Sequence, residues 1–161
     1  MSQGNVDIPL NATGIAQAKA AAALLRGRGI ASIVSSPLSR AKDTADAVGA
    51  ALDLPVTVQD DLREVAFGVH EGTAMGSAWF AEWMSGVSTP EGAESFASLR
   101  ARATGAITTA LTHASPVLVV AHGAFFRALR AEMGLVADVR TPNARPLFCE
   151  PGSPWVLTPA T

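Results

Sequence analysis

Two stretches of this chain run an apolar, β-branched segment straight into an amphipathic helix: "SIVSSPLSRA", Ser32 to Ala41, and "VLVVAHGAFFRAL", Val117 to Leu129. A short strand that is apolar on both sides must be covered on both faces, and strands alternating with helices meet that demand in a mainly parallel sheet. The rest of the chain keeps the alternation. Ile15, Ala18, Ala22 and Leu25 recur at helical spacing within Thr13 to Arg28, with Thr13 as cap and Gly29 as terminator. Ala31 to Ser36 reads as a buried strand stopped by Pro37; the next helix, Leu38 to Leu52, turns Ala41, Ala45, Val48 and Leu52 inward, and Pro55 to Val58 reads as a second strand. A Gly-rich middle, Asp60 to Glu94, lacks a clean period apart from one short helix holding Trp79, Phe80 and Trp83. Beyond it come a helix from Ser95 to Thr112 with Phe96, Leu99, Ala103, Ile107 and Leu111 inward, a strand Pro116 to Ala121, a helix Ala124 to Met133, and strands at Leu147 to Glu150 and Trp155 to Leu157. The expected fold is α/β, one domain over residues 1–161, with helices on both faces of a mostly parallel sheet and no internal repeat.

Composition narrows the classes of function. Of the residues, 48% are hydrophobic and 16% charged, which suits a good core, and a net charge of -2 without a Lys/Arg-dense run argues against a nucleic-acid or membrane surface. The opening "MSQGNVDIPL" has neither a basic start nor an apolar core of a signal peptide, and no apolar run reaches the ~20 residues of a membrane span. A cytoplasmic protein is expected. The lone Cys149 has no disulfide partner and no Cys/His ligand spacing around it, so it reads as an unreactive, partly buried thiol, and neither metal nor cofactor is called for.

The two junctions place chemistry at corresponding points. Arg40 falls in the first turn after one strand, and His122-Gly123 follows the other. In an open parallel sheet these strand ends share a rim where helix N-termini offer N–H groups and a positive dipole end. An arginine fork and an imidazole added to that rim suit a phosphate. Each residue alone has a plainer reading: Arg40 as a solvated helix residue, His122 as a satisfied semi-buried histidine, Glu64 as an exposed loop carboxylate.

In that order along the chain, "SSPLSRAKDTA", "LREVAFGVHEG", "PEGAESF" and "VLVVAHGAFFRAL" resemble the motifs of the histidine phosphatase superfamily, phosphoglycerate mutase-like branch, and "QGNVDIPLNATGIAQA" resembles the segment after that family's Arg-His-Gly. The resemblance implies a three-layer sandwich and phosphomonoester hydrolysis through a phosphohistidine, without a metal. It implies that Arg40, His122 and Gly123 bind phosphate, with His122 the second histidine of the site and Glu64 the proton donor. Gln3, Gly4 and Asn5, with Glu94, Ser95 and Asn143, would line the substrate entrance; Ala93 stands where the family has the glycine of Gly-Glu-Ser. The ligand would be phosphate or a phosphorylated small molecule. A compact middle segment favours phosphatase over mutase.

One element of the family pattern is absent. The chain contains no Arg-His-Gly, and its histidines are His70, His113 and His122. The resemblance therefore implies a fold missing its first strand and nucleophile, and loss of a nucleophile can lower a rate by ~10⁶-fold. The expectation is a domain N-terminally truncated relative to the family through a start codon placed too far downstream, and nearly inactive as it stands. A noncatalytic pseudoenzyme binding a phosphorylated molecule or protein, and an unrelated α/β anion-binding domain, are the alternatives. The gap in the sheet would be filled by Met1 to Leu10, by rearrangement, or by a second chain in a homodimer.

Overall fold

The structure, a computed structural model, describes residues 2–74 and 77–161. Its elements follow the alternation in the sequence: α1 (Ala12–Leu25), β1 (Ser32–Ser35), α2 (Ser39–Leu52), β2 (Val56–Val58), α3 (Ala78–Ser85), α4 (Phe96–Ala110), β3 (Val117–Val120), α5 (Gly123–Glu132), β4 (Leu147–Glu150) and β5 (Val156–Pro159). The first helix starts one residue before the expected cap. Asn11, not Thr13, caps it, its side chain accepting from Gly14 N at 2.8 Å.

β1 lies between β2 and β3 and pairs with both in parallel, with Ile33 opposite Val56 on one side and Leu118 on the other. Alternation along the strands sends their side chains into two cores. Ile33, Val56, Leu118 and Val120 meet Ala22, Leu25, Ala45 and Val48 of α1 and α2. Val34, Val117 and Val119 join Leu99, Ala103, Ala106, Phe125, Ala128 and Leu129 of α4 and α5 on the opposite face. Helices therefore flank both sides of the sheet, as a strand apolar on both faces requires. Two inward assignments fail: Ile15 and Leu111 are 47% and 52% exposed, and Ala106 and Ala110 take the inward positions of α4 instead. Alanines take the inward positions beside Ile15 and Leu111, while Leu25, Phe96 and Leu99 fill the roomier parts of the same faces.

α3 belongs to the second core. Trp83 is fully buried against Phe67, Phe80 and Phe96, with ring centroids 5.1–5.4 Å apart, and its indole N–H donates to Glu94 O at 2.8 Å. β4 and β5 form a separate antiparallel pair, and Cys149 on β4 is exposed rather than partly buried.

Among the described residues β3 has a single strand neighbour, β1. Ser36 N donates to Val120 O, and Ala31 N and Ser32 N to Pro116 O, so even-numbered positions of β3 turn their backbone groups toward β1. Parity then turns the N–H and C=O of Val117 and Val119 to the open side. Of the Met1 to Leu10 segment, Met1 lies outside the described residues; Ser2 pairs with the 70–73 loop through Ser2 N to Thr73 O and Gly72 N to Ser2 O. Among the described residues, none of 2–10 is paired with β3.

Candidate functional site

The rim at the ends of β1 and β3 is built by three backbone-determined placements. Pro37 ends β1 and starts the turn into α2, leaving Arg40 in its first turn. β3 ends at Val120, three residues before Gly123, and His122 is the N-cap of α5. Glu64 arrives from the loop after β2, between Leu62 and Val65, both fully buried. Those two anchors carry the carboxyl into the protein.

Glu64 is 7% exposed, not the surface carboxylate its position alone suggests. Its Oε2 accepts from Ala124 N at 2.9 Å, and its Oε1 from Phe125 N at 2.9 Å and Val65 N at 3.0 Å. It therefore caps α5, where the otherwise unpaired N–H groups and the dipole favour an anion. Burial pushes its pKa up, while the Ala124, Val65 and Phe125 amides and Arg40 pull the other way. A carboxyl so held can carry a proton closer to neutrality than an exposed one.

Arg40 is half-buried, and its NH1 donates to Val6 O at 2.8 Å and its NH2 to Gly4 O at 2.7 Å. Burial lowers its pKa, countered by Glu64, Asp7 and Glu71. Gly4 holds a left-handed conformation, φ 53°, and a side chain there would collide with the Glu71 carboxylate. The left-handed turn, which glycine adopts most readily, carries this carbonyl to Arg40. The N–H groups expected to be free at the rim are thus partly taken: Ala124 and Phe125 by Glu64, and Ser39 N by Asp7 Oδ1 at 2.7 Å.

His122 Nε2 lies 2.7 Å from Ser36 Oγ. Burial first, then the charges of Arg40 and Arg102, push its pKa down to about 3, so the ring is neutral at ordinary pH. Arg40 lies close enough to act electrostatically on both Glu64 and His122, and the backbone donors on Glu64 are the second and third residues after His122. The structure thus brings Arg40, Glu64 and His122 together at one end of the sheet. Gly123 is exposed beside them, as the first residue of α5.

The other candidates fall into different settings. Gly4 reaches Arg40 through its carbonyl, and Gln3 and Asn5 flank it, Asn5 exposed. Glu94 is gripped by Arg102, with Oε2 to NH2 at 2.7 Å and Oε1 to Nε at 3.0 Å, and Ser95 caps α4 by accepting from Ser98 N at 3.1 Å. Asn143 lines a depression of about 350 Å³ with Gln17, Arg140 and Pro142, which includes none of Arg40, Glu64 and His122. His70 stacks on Trp79 with centroids 4.4 Å apart, and His113 follows α4. Among the described residues no cluster of His, Cys, Asp and Glu could hold a metal ion.

Three contributors escaped the sequence reading. Ser36 was legible only as the second hydroxyl at a strand end. Asp7 had no local signal. Arg102 pairs with Glu94 eight residues earlier, outside the i,i+3 and i,i+4 separations at which helical spacing makes a pair legible. Its NH1 also donates to the carbonyls of Asp61 and Arg63, at 2.9 and 2.7 Å, on either side of Leu62. It ties the Glu64 loop to α4.

Against known proteins, a model of the histidine phosphatase superfamily (branch 1) matches residues 1–144. The chain belongs to this superfamily. Over 95 residues, 54% of the chain, it is 46% identical to a bifunctional protein of Mycobacterium tuberculosis. Over 132 residues, 75% of the chain, it is 35% identical to a probable phosphoglycerate mutase of Yersinia enterocolitica. The matched stretches make up 26% and 61% of those two proteins, so this chain spans only part of each. The solved structure of a mycobacterial glucosyl-3-phosphoglycerate phosphatase in complex with VO3 superposes with a TM-score of 0.83 at 31% identity, covering 98% of this chain and 89% of that one. The same phosphatase with inorganic phosphate gives a TM-score of 0.76 at 30% identity. The α/β architecture and phosphatase kinship follow, and the reading as an unrelated anion-binding domain is set aside.

Proposed function

We propose that this histidine phosphatase domain binds the phosphoryl group of a small phosphate monoester at the Arg40, Glu64 and His122 rim. The observation that carries the proposal is that the three lie on adjoining segments where β1 and β3 end, the amides just past His122 bonded to Glu64 and the Arg40 charge acting on both. Arg40 supplies positive charge toward the phosphoryl oxygens, His122 a neutral donor, and Gly123 room at the start of α5. Glu64, its proton affinity raised by burial, is the group to protonate a leaving oxygen. A cytoplasmic setting accords with the lone cysteine.

We further propose that the 161-residue polypeptide by itself is a binder rather than an enzyme. A phosphohistidine route needs an imidazole placed within about an ångström of its attack geometry. His70 is stacked on Trp79, His113 follows α4, and His122 is hydrogen-bonded to Ser36. Vanadate and phosphate titrations of ¹⁵N-labelled protein test the binding. Shifts at Gly123, Arg40 and His122 are expected, lost in Arg40→Ala, and their absence in the wild type would defeat the proposal. A chromogenic phosphomonoester hydrolysed at ordinary enzyme rates, with the rate lost on His122→Ala, would overturn the noncatalytic part.

A further inference from the structure

β1 ends in two adjacent hydroxyls with different tasks. Ser35 Oγ donates to Ser36 O at 2.9 Å. Ser36 lies on the β3 side, its N–H bonded to Val120 O at 2.9 Å, and this backbone bond delivers its Oγ to His122 two residues further along β3's path. Ser36 is fully buried, so neither its proton nor its lone pairs have water to turn to.

The direction of the 2.7 Å contact follows from counting donors. Leu38 N–H, which can only donate, occupies a lone pair of Ser36 Oγ at 3.2 Å. The hydroxyl keeps one proton, and among the described residues its only hydrogen-bonded acceptor is His122 Nε2. The reverse arrangement, with Nε2–H donating to Oγ, would leave a buried O–H without an acceptor. Arg40 of α2 and Arg102 of α4 act on the ring by their charge, Glu64 is engaged at the start of α5, and among the described residues no carboxylate is hydrogen-bonded to either ring nitrogen.

We infer that Ser36 is a positioning residue that fixes His122 as the neutral tautomer protonated on Nδ1, by donating its hydroxyl proton to Nε2. The inference deepens the phosphoryl-binding reading, since it specifies that His122 meets an anion as a donor through Nδ1 and is barred from acting as a base through Nε2 while Ser36 holds it.

The test is a long-range ¹H–¹⁵N correlation of the histidine side chains in the full chain at pH 7, where three histidines give a simple spectrum. His122 is expected to show a protonated Nδ1 and a bare Nε2, Ser36→Ala to convert this single tautomer into a mixture, and Ser36→Thr to restore it. A wild-type ring protonated on Nε2 overturns the inference even if no variant folds. An unchanged tautomer in folded Ser36→Ala overturns it as well. Vanadate added to the same samples keeps the two readings separable: a Nδ1–H ring untouched by vanadate upholds Ser36's role and defeats phosphoryl binding.

Discussion

A neutral imidazole and a buried carboxyl sit on neighbouring segments at the rim, and their burial acts on stability with opposite signs. His122 titrates at about 3 in the folded chain against an ordinary 6.5. Between those values the unfolded chain binds more protons than the folded one, so stability is fully present above pH 6.5 and falls as the pH drops toward 3. Glu64 is shifted the other way, above its ordinary 4.5. Its contribution is present below pH 4.5 and is lost as the pH rises through its folded value. The histidine acts alone near neutrality only if its window is isolated, which a variant achieves. Urea melts at pH 7, 6 and 5 are expected to show the wild type losing stability on acidification relative to His122→Gln, by at most about 1.4 kcal/mol per pH unit, since the Glu64 contribution is common to both proteins. Equal slopes in the two proteins would mean that His122 protonates freely in the folded state.

Between elements, Arg102 is the main polar tie on the α4 side of the rim. It reaches Glu94 with two nitrogens, takes the carbonyls of Asp61 and Arg63, and lies over the Phe125 ring at 5.9 Å. The Arg102 and Glu94 side chains are 23% and 20% exposed, so the pair is only partly screened. Arg102→Met is expected to cost about 2–4 kcal/mol, a little under the ~3–5 kcal/mol of breaking a fully buried pair. Adding Glu94→Gln should recover part of that loss, because it removes the orphaned charge; chemical denaturation of the two single variants and the double variant measures it. The same elements show what the sequence made legible. Helical period located α2, α4 and α5 to within a residue or two, and strand chemistry located β1 and β3, because both signals are local. It misplaced Ile15 and Leu111, since a period cannot tell whether the facing helix leaves room for a large side chain or only for Ala106 and Ala110. The convergence of Arg40 and His122 was readable from parallel topology alone. The capping of α5 by Glu64 and of Ser39 N by Asp7 was not, because these bonds span 60 and 32 residues of sequence. The sequence suggested open N–H groups at the rim; folding closed several of them.

For the molecule as a whole, the open side of β3 is the feature with consequences beyond one site. Both faces of the sheet are covered by helices, yet all four residues of β3 stay only partly buried. An extended strand with unpaired N–H and C=O groups is a template for another strand. We propose that a second copy of the chain pairs there, giving a homodimer. Parity along β3 makes this testable residue by residue. In dilute solution the amides of Val117 and Val119 should exchange with solvent quickly, and those of Leu118 and Val120, turned toward β1, slowly. At concentrations where light scattering gives twice the chain's 16.5 kDa mass, Val117 and Val119 should become protected as well. Proline separates the two sides of the strand, since it deletes one N–H and suits only positions whose N–H points away from a partner. Val119→Pro should leave a folded monomer at concentrations where the wild type pairs. Leu118→Pro should unfold the chain by removing a bond to β1. A wild-type mass of one chain across the micromolar range, with Val119 exchanging quickly throughout, would show that the edge stays open in solution.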